Sequence, residues 1–271
     1  MSASIDSDQS DFPQGGPIAS IGLGRLLIFA GVAGVVAGLV AWFVGENTLN
    51  VFTPKRTQVI AFGVPTAKVE YHDGIKAEYG NAIVAYGVLG ASLGLFLGLA
   101  GGLARPPGAI RAGLIGTIAG ALLASGAAAA ILPVYYHQHE FNQEELSRDL
   151  LLPFLVHAGS WGAAGLAGGL ALGIGMGAVD REGKARLIRS AVGGLVGAIV
   201  GAAVYEVIGG LGFAEDKSGE PVSRTATTRF IARVAVTLFA AITAATMTES
   251  KPKRATTPKP NPGPTAPPSR A

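Results

Sequence analysis

Two ladders of glycine, each spaced at four-residue intervals, constrain the fold of this chain more than any other feature. Since residues four apart lie on nearly the same face of an α-helix, each ladder leaves one stripe without side chains and lets a neighbouring helix approach closely. Long apolar stretches surround both ladders, which predicts an all-α, polytopic membrane helix bundle. The ladder residues are Gly90, Gly94, Gly98 and Gly102, and then Gly165, Gly169, Gly173 and Gly177.

The composition supports the membrane class and excludes several others. Glycine accounts for 40 of 271 residues, charged residues for only 14%, and the mean hydropathy is +0.43. These values exclude a disordered chain, whose composition would be polar and charged. The chain has no cysteine, so disulfides and thiolate metal sites are excluded. The basic residues are scattered rather than gathered into a patch with interleaved aromatics, so nucleic acid is not an expected partner.

Six apolar stretches are long enough to cross a bilayer, and they define a membrane domain over 26–247. The sixth is the least clear, because Arg233 leaves only a short uncharged stretch, although an arginine near a helix end can extend its charge to the interface. A polar segment at 1–25 precedes the first stretch, which we interpret as a retained signal anchor, and we expect the proline-rich tail at 248–271 to be disordered. The six stretches are 26–44, 81–104, 110–134, 151–179, 188–213 and 230–247.

The distribution of Lys and Arg predicts the orientation. These residues are dense in the short connections 105–111 and 180–189, and an excess of positive charge marks the cytoplasmic side. Both termini are then cytoplasmic, and the segment 45–80 lies outside. That outer segment is a short hairpin, an interfacial lid or a plain connector, and the sequence leaves the three alternatives open.

The membrane domain contains an apparent duplication. The regions 81–134 and 151–213 share one layout: a glycine-ladder helix, a short basic turn and a second helix rich in small residues. Since both copies enter from the same side, this is a parallel repeat of one helical hairpin. We expect the glycines of the second helices to lie at helix contacts as well, namely Gly116 and Gly120 in the first copy and Gly193, Gly197 and Gly201 in the second.

Three ionisable groups fall at similar depth near the outer ends of the last three stretches: His157, Glu206 and Arg233. An ionisable group inside a span is costly, so this polar intramembrane cluster is a candidate site. The simplest pairing joins Glu206 to Arg233, with His157 hydrogen-bonded beside them. Two interpretations stay open: a structural cluster that fixes the sixth helix against the repeat, or an ion- or proton-handling site in which Glu206 titrates and His157 relays.

Other chemistry has little support in the sequence. The nearest approach to a metal site is His137, His139 and Glu140, but a His-x-His pair points to one side only in an extended strand, so we expect no metal. Ser160 lies one turn from His157 without a second histidine to serve as a base, and no complete catalytic motif is present. We therefore expect a protein that is not an enzyme and has no cofactor.

Three short segments carry a resemblance to known sequences. The stretches 97–105 (LGLAGGLAR), 157–162 (HAGSWG) and 205–209 (YEVIG) resemble uncharacterised glycine-rich multi-pass proteins of bacteria. The resemblance covers roughly the four repeat helices and implies a bacterial inner membrane, without an activity. The sequence favours a structural or assembly component whose partners are the lipid bilayer and either further copies of itself or another membrane protein. The alternative is a small ion- or proton-coupled transporter or channel that uses His157, Glu206 and Arg233.

Overall fold

The computed structural model describes residues 22–105, 108–141, 151–177, 181–213 and 220–248. Most of the polar segment 1–25 and the proline-rich tail after residue 248 therefore lie outside the described residues. Within them the chain forms six α-helices and one β-hairpin. The elements are α1 (Leu23–Asn47), β1 (Arg56–Ala61), β2 (Val64–Val69), α2 (Tyr71–Ala104), α3 (Ala109–Phe141), α4 (Leu151–Gly175), α5 (Arg181–Gly212) and α6 (Ala226–Thr248).

Five of these helices are long and apolar enough to cross a membrane: α1, α2, α3, α5 and α6. They confirm the all-α class and indicate a multi-pass membrane protein. The helix α6, which the sequence left least clear, is one of the five. The helix α4 is not among the five, although it contains no Asp, Glu, Lys or Arg.

Several helices extend well beyond the apolar stretches that predicted them. The helix α2 begins at Tyr71 and α5 begins at Arg181, so polar residues on both sides of the expected membrane continue the helical hydrogen bonding. The opposite holds for α4, which ends at Gly175. Gly177 lies beyond that end, in the left-handed region at φ 82°, and a Cβ there would meet no atom within 4 Å. It ends the helix rather than extending the ladder, so its predicted packing role is wrong.

The helices follow one another round a closed ring, and α1 returns to contact α6. As far as the structure describes the chain, the ring has no central opening, because α2 and α4 also pack on each other across it. Large side chains from both helices fill this centre, including Leu93, Leu97 and Leu172, which are completely buried. Within the described residues, the centre of the bundle is therefore filled by packed side chains.

Backbone lies directly against backbone where α2 crosses α3 and where α4 crosses α5. A Cβ on Gly90 or Gly94 would overlap the carbonyl oxygens of Gly120 and Gly116, and a Cβ on Gly98 would lie 2.5 Å from that of Ala112. In the second hairpin, a Cβ on Gly165 or Gly169 would overlap the carbonyl oxygens of Gly194 and Ser190, and one on Gly173 would lie 2.8 Å from the Cα of Leu187.

The glycines Gly193, Gly197 and Gly201 serve a different contact from Gly116 and Gly120. They face α6, not α4: a Cβ on Gly193 would lie 2.6 Å from the carbonyl oxygen of Thr243, and one on Gly201 would lie 2.8 Å from the Cα of Val236. The glycine of α5 that meets the α4 ladder is Gly194, one position after Gly193. The glycines of α3 and α5 therefore have the same four-residue spacing but lie on surfaces that contact different neighbours.

The outer faces of the bundle are apolar. The exposed stripe of α3 consists of Ile110, Leu114, Ile118 and Leu122, and that of α5 consists of Ile188, Val192, Val196 and Val200. Each stripe lies on the side of its helix away from the small residues that contact the neighbouring helix. Contiguous apolar faces of this length are rare on soluble monomers, whereas lipid chains solvate them readily.

The segment between α1 and α2 contains the hairpin, the first of the three alternatives for 45–80. The strands β1 and β2 pair antiparallel from Arg56 with Val69 to Ala61 with Val64. Phe62 and Gly63 form the two-residue turn, with φ 53° and 78°. Positive φ at both positions is the geometry of a type I′ turn, whose twist matches that of the strands it joins.

Candidate functional site

The centre of the candidate site is a pair of buried ionisable groups on neighbouring helices. His157 lies near the start of α4 and Glu206 near the end of α5, so antiparallel packing brings them to the same end of the bundle. His157 Nδ1 is hydrogen-bonded to Glu206 Oε1, and the two residues are only 1% and 8% exposed. The pair ties α4 to α5 where the ladder contact between them ends.

Aromatic side chains hold the imidazole of His157 in place. The ring stacks on Trp161 at 4.3 Å between centroids, with 11° between the planes, and meets the edge of Tyr205 at 5.8 Å. Trp161 and Tyr205 in turn contact each other edge to face at 5.4 Å. Because stacked and edge-to-face contacts restrict ring rotation, they fix which imidazole nitrogen faces Glu206.

The second ring nitrogen of the same histidine has unused hydrogen-bonding capacity. Neither His157 Nε2 nor Ser160 Oγ has a hydrogen-bond partner within the part of the chain that the structure describes, and both atoms are buried. The two residues are one helical turn apart on α4, so they share a face of that helix. An imidazole that is hydrogen-bonded only at Nδ1 leaves Nε2 able to form one further hydrogen bond.

Arg233 does not take part in this pair. Its guanidinium donates hydrogen bonds to the carbonyl oxygens of Ala41 and Trp42 on α1, the latter at 3.4 Å. It occupies the space that a side chain would need at Gly45, and the residue is 6% exposed. The prediction that Glu206 pairs with Arg233 is therefore wrong.

The reason lies in which face of α6 carries the arginine. The stripe Arg233, Thr237 and Ala241 faces α1, where Gly34 and Gly38 make room for it. The adjacent stripe that contains Val236 and Ala240 faces α5 instead. Similar depth in the membrane places three groups at one level, but it does not place them on facing surfaces.

A second ion pair nearby escaped the sequence analysis. Arg229 donates from Nε and Nη2 to the two carboxylate oxygens of Glu46, both at 2.6 Å, and joins the start of α6 to the end of α1. Its Nη1 also donates to the carbonyl oxygens of Ser223 and Arg224. The sequence did contain a signal for this pair. Glu46 and Arg229 carry opposite charges, and they lie at those ends of the first and last apolar stretches that were expected on the same side of the membrane.

Two openings lie beside the cluster. A cavity of about 660 Å³ is bordered by residues such as Glu78, Tyr135 and Arg229, and a void of about 30 Å³ lies against Trp161 and Arg233. The two share Ser223, whose hydroxyl is hydrogen-bonded to the Tyr205 hydroxyl. Neither opening is lined by His157 or Glu206.

The weak metal candidates stay untested as a group. His137 lies on α3, while the side chains of His139 and Glu140 lie outside the described residues. Among the residues that the structure does describe, no three His, Asp or Glu side chains converge as metal ligands would.

No protein-family model, curated protein or solved structure matches this chain. Its class therefore rests on the fold, in which five long apolar helices indicate a multi-pass membrane protein.

Proposed function

We propose that this chain is a structural or assembly component of a bacterial inner membrane, that it is not an enzyme, and that all six helices cross the bilayer. The observation that carries the proposal is how its buried ionisable groups are used. His157 and Glu206 join α4 to α5, and Arg233 joins α6 to α1. Each of these groups is bonded across a helix contact, and the pair lies outside both openings.

The sixth crossing would be α4. Its 25 residues span about 37 Å, which exceeds the roughly 30 Å thickness of a hydrocarbon core. It packs along α2, α3 and α5, so an orientation across the membrane for those helices requires the same for α4. With six crossings, both termini lie on one side, and the dense basic turns favour the cytoplasmic side.

The duplicated hairpin is supported by the register of its contacts. Gly94 meets Gly116 in the first copy, and Gly169 meets Ser190 at the corresponding level in the second. In both copies the ladder helix lies against the small-residue helix through backbone. The glycine faces are thus used within the bundle, so a homo-oligomer or another membrane protein would bind the apolar outer faces instead.

A small proton- or ion-coupled transporter is the second candidate, and one observation favours it. His157 is bonded to Glu206 through one nitrogen, while its other nitrogen and Ser160 Oγ are buried without partners among the described residues. The hydrogen bond between the Tyr205 and Ser223 hydroxyls at the border of the cavity also supports this candidate, because hydroxyl groups can relay protons.

Proton flux and stability, measured on the same variant, separate the two candidates. Wild-type protein and Glu206→Gln are reconstituted into liposomes that contain a pH-sensitive dye, and a proton gradient is imposed. The structural role predicts flux no greater than in protein-free liposomes, and a lower unfolding midpoint for Glu206→Gln, because a neutral amide replaces a charge-assisted hydrogen bond. A transporter predicts flux that Glu206→Gln abolishes without loss of stability. The matched control is Glu220→Gln, at a partly exposed ion pair.

Native mass spectrometry of the protein extracted from its own membrane in mild detergent tests the assembly part. We expect a defined oligomer or a co-purifying membrane protein. A monomer without an associated subunit contradicts an assembly role.

A further inference from the structure

The tip of the β-hairpin exposes apolar side chains that the chain itself does not cover. Phe62 is completely exposed, and its neighbours Ile60 and Val64 are 80% and 61% exposed. Phe62 also has φ 53°, a left-handed conformation that is costly for a bulky residue and in which Asn, Asp or Gly is usual. A strained position that carries the most exposed aromatic ring among the described residues indicates contact with something outside the chain.

The charges of the hairpin identify the kind of surface that it fits. Lys55, Arg56 and Lys68 lie at its base, and no acidic residue occurs between positions 55 and 69. An apolar tip with a basic base complements a bilayer surface, where acyl chains lie beneath anionic headgroups.

The hairpin also begins at the level of the membrane surface. Phe52 donates its backbone N–H to Asn81 Oδ1 at 2.9 Å, and Asn81 Nδ2 donates to the Phe52 carbonyl oxygen at 2.9 Å. Asn81 is the first residue of the apolar stretch in α2, so this double hydrogen bond fixes the chain near the boundary of the bilayer.

The lengths of α2 and of the two strands allow the tip of the hairpin to reach the boundary of the bilayer. Residues 71–80 of α2 raise the base of the hairpin about 15 Å above Asn81, at 1.5 Å per residue. Each six-residue strand is about 20 Å long. No β2 residue is buried, so that strand has no packed face against the bundle.

We propose that the tip of the hairpin enters the bilayer end-on, so that Ile60, Phe62 and Val64 lie at the boundary of headgroups and acyl chains, while the basic residues of the hairpin contact anionic lipid phosphates. This inference rests on the proposed membrane placement of the bundle. The hairpin then acts as an interfacial anchor for the connection between α1 and α2.

The absence of cysteine from the chain permits a direct test at single sites. Val64→Cys is labelled with an environment-sensitive fluorophore and reconstituted into phosphatidylcholine vesicles with phosphatidylglycerol. We expect quenching by nitroxide-labelled lipid and protection from aqueous iodide. Thr57→Cys, near the base of β1, should show the reverse.

Adding Phe62→Ser to Val64→Cys should lower the inserted fraction about tenfold, because the tip loses its largest apolar side chain. Omitting phosphatidylglycerol should also lower it.

Two results overturn the proposal. Quenching of the Val64 site by iodide alone places the tip in water, and protection from both quenchers places it against protein, either a second copy or a different chain. A label at Ile118→Cys, on the exposed stripe of α3, separates this failure from failure of the membrane placement. Lipid quenching at Ile118 but not at Val64 rejects only the hairpin anchor, whereas quenching at neither site rejects both.

Discussion

At the scale of single residues, the structure divides the glycines by what lies opposite them. A Cβ on Gly94 would overlap the backbone of α3 and one on Gly169 the backbone of α5, whereas Gly126 has open space around it. Glycine costs a helix interior about 1 kcal/mol relative to alanine in water. In hydrocarbon an unfolded backbone would lose its hydrogen-bond partners, so the helix persists and the close crossing is the net gain.

This difference predicts the effect of one substitution at three positions. Gly94→Leu and Gly169→Leu should each lower the free energy of unfolding by about 3 kcal/mol or more, since neighbouring backbone cannot shift as a side chain can. Gly126→Leu should change it little. Thermal unfolding in detergent measures all three, and equal midpoints across the set would show that the ladders do not form the close contacts.

At the scale of elements, polar groups connect the first helix to the last. Arg229 forms a bidentate ion pair with Glu46, and Trp42 donates its indole N–H to the Ala226 carbonyl oxygen at 3.2 Å. Arg233 adds hydrogen bonds to the backbone of α1. These contacts close the ring at the end where α1 finishes and α6 begins, while small residues such as Gly34 and Gly38 close it further along.

Removing the charge of Glu46 should weaken this closure. We expect Glu46→Gln to lower the free energy of unfolding by about 1–3 kcal/mol, because Arg229 loses a charged, bidentate acceptor at a largely buried site. Glu220→Gln breaks the more exposed pair with Arg224 and should cost less than about 1 kcal/mol. Unfolding by a denaturing detergent in mixed micelles measures both, and equal losses would contradict the special role of the contact between α1 and α6.

At the scale of the whole molecule, the closed ring brings α1 beside α6 and predicts the positions of the termini. Six crossings place both termini on one side of the membrane, whereas five would place them on opposite sides. The two counts differ only in whether α4 crosses, so the topology tests the one described helix that is not among the five long apolar ones.

Single cysteines introduced at Ser10 and Ser269 report this topology. In sealed right-side-out membrane vesicles, a membrane-impermeant maleimide should label neither site, while it should label Thr57→Cys on the hairpin. Inverted vesicles should give the opposite pattern. Labelling of only one terminus in either preparation would show an odd number of crossings.

The sequence correctly predicted which segments form apolar helices. It did not predict which face of a helix contacts which neighbour. Apolar length predicted helices around 26–44 and 230–247, and both occur, as α1 and α6. Equal depth suggested a pairing of Glu206 with Arg233, yet the arginine lies on the face of α6 that meets α1. Hydropathy could not show that face, because it depends on which helices become neighbours.

By itself, the sequence determined that the chain forms apolar helices with ladders of small residues, since those properties follow from side-chain transfer free energy and helical period. Only the tertiary structure decided that Glu206 pairs with His157, that Gly193 faces α6 while Gly194 meets α4, and that α1 closes the ring on α6. The physical reason is that a contact depends on the rotation of two helices about their own axes and on their order round the bundle. Both are set by packing all six helices together.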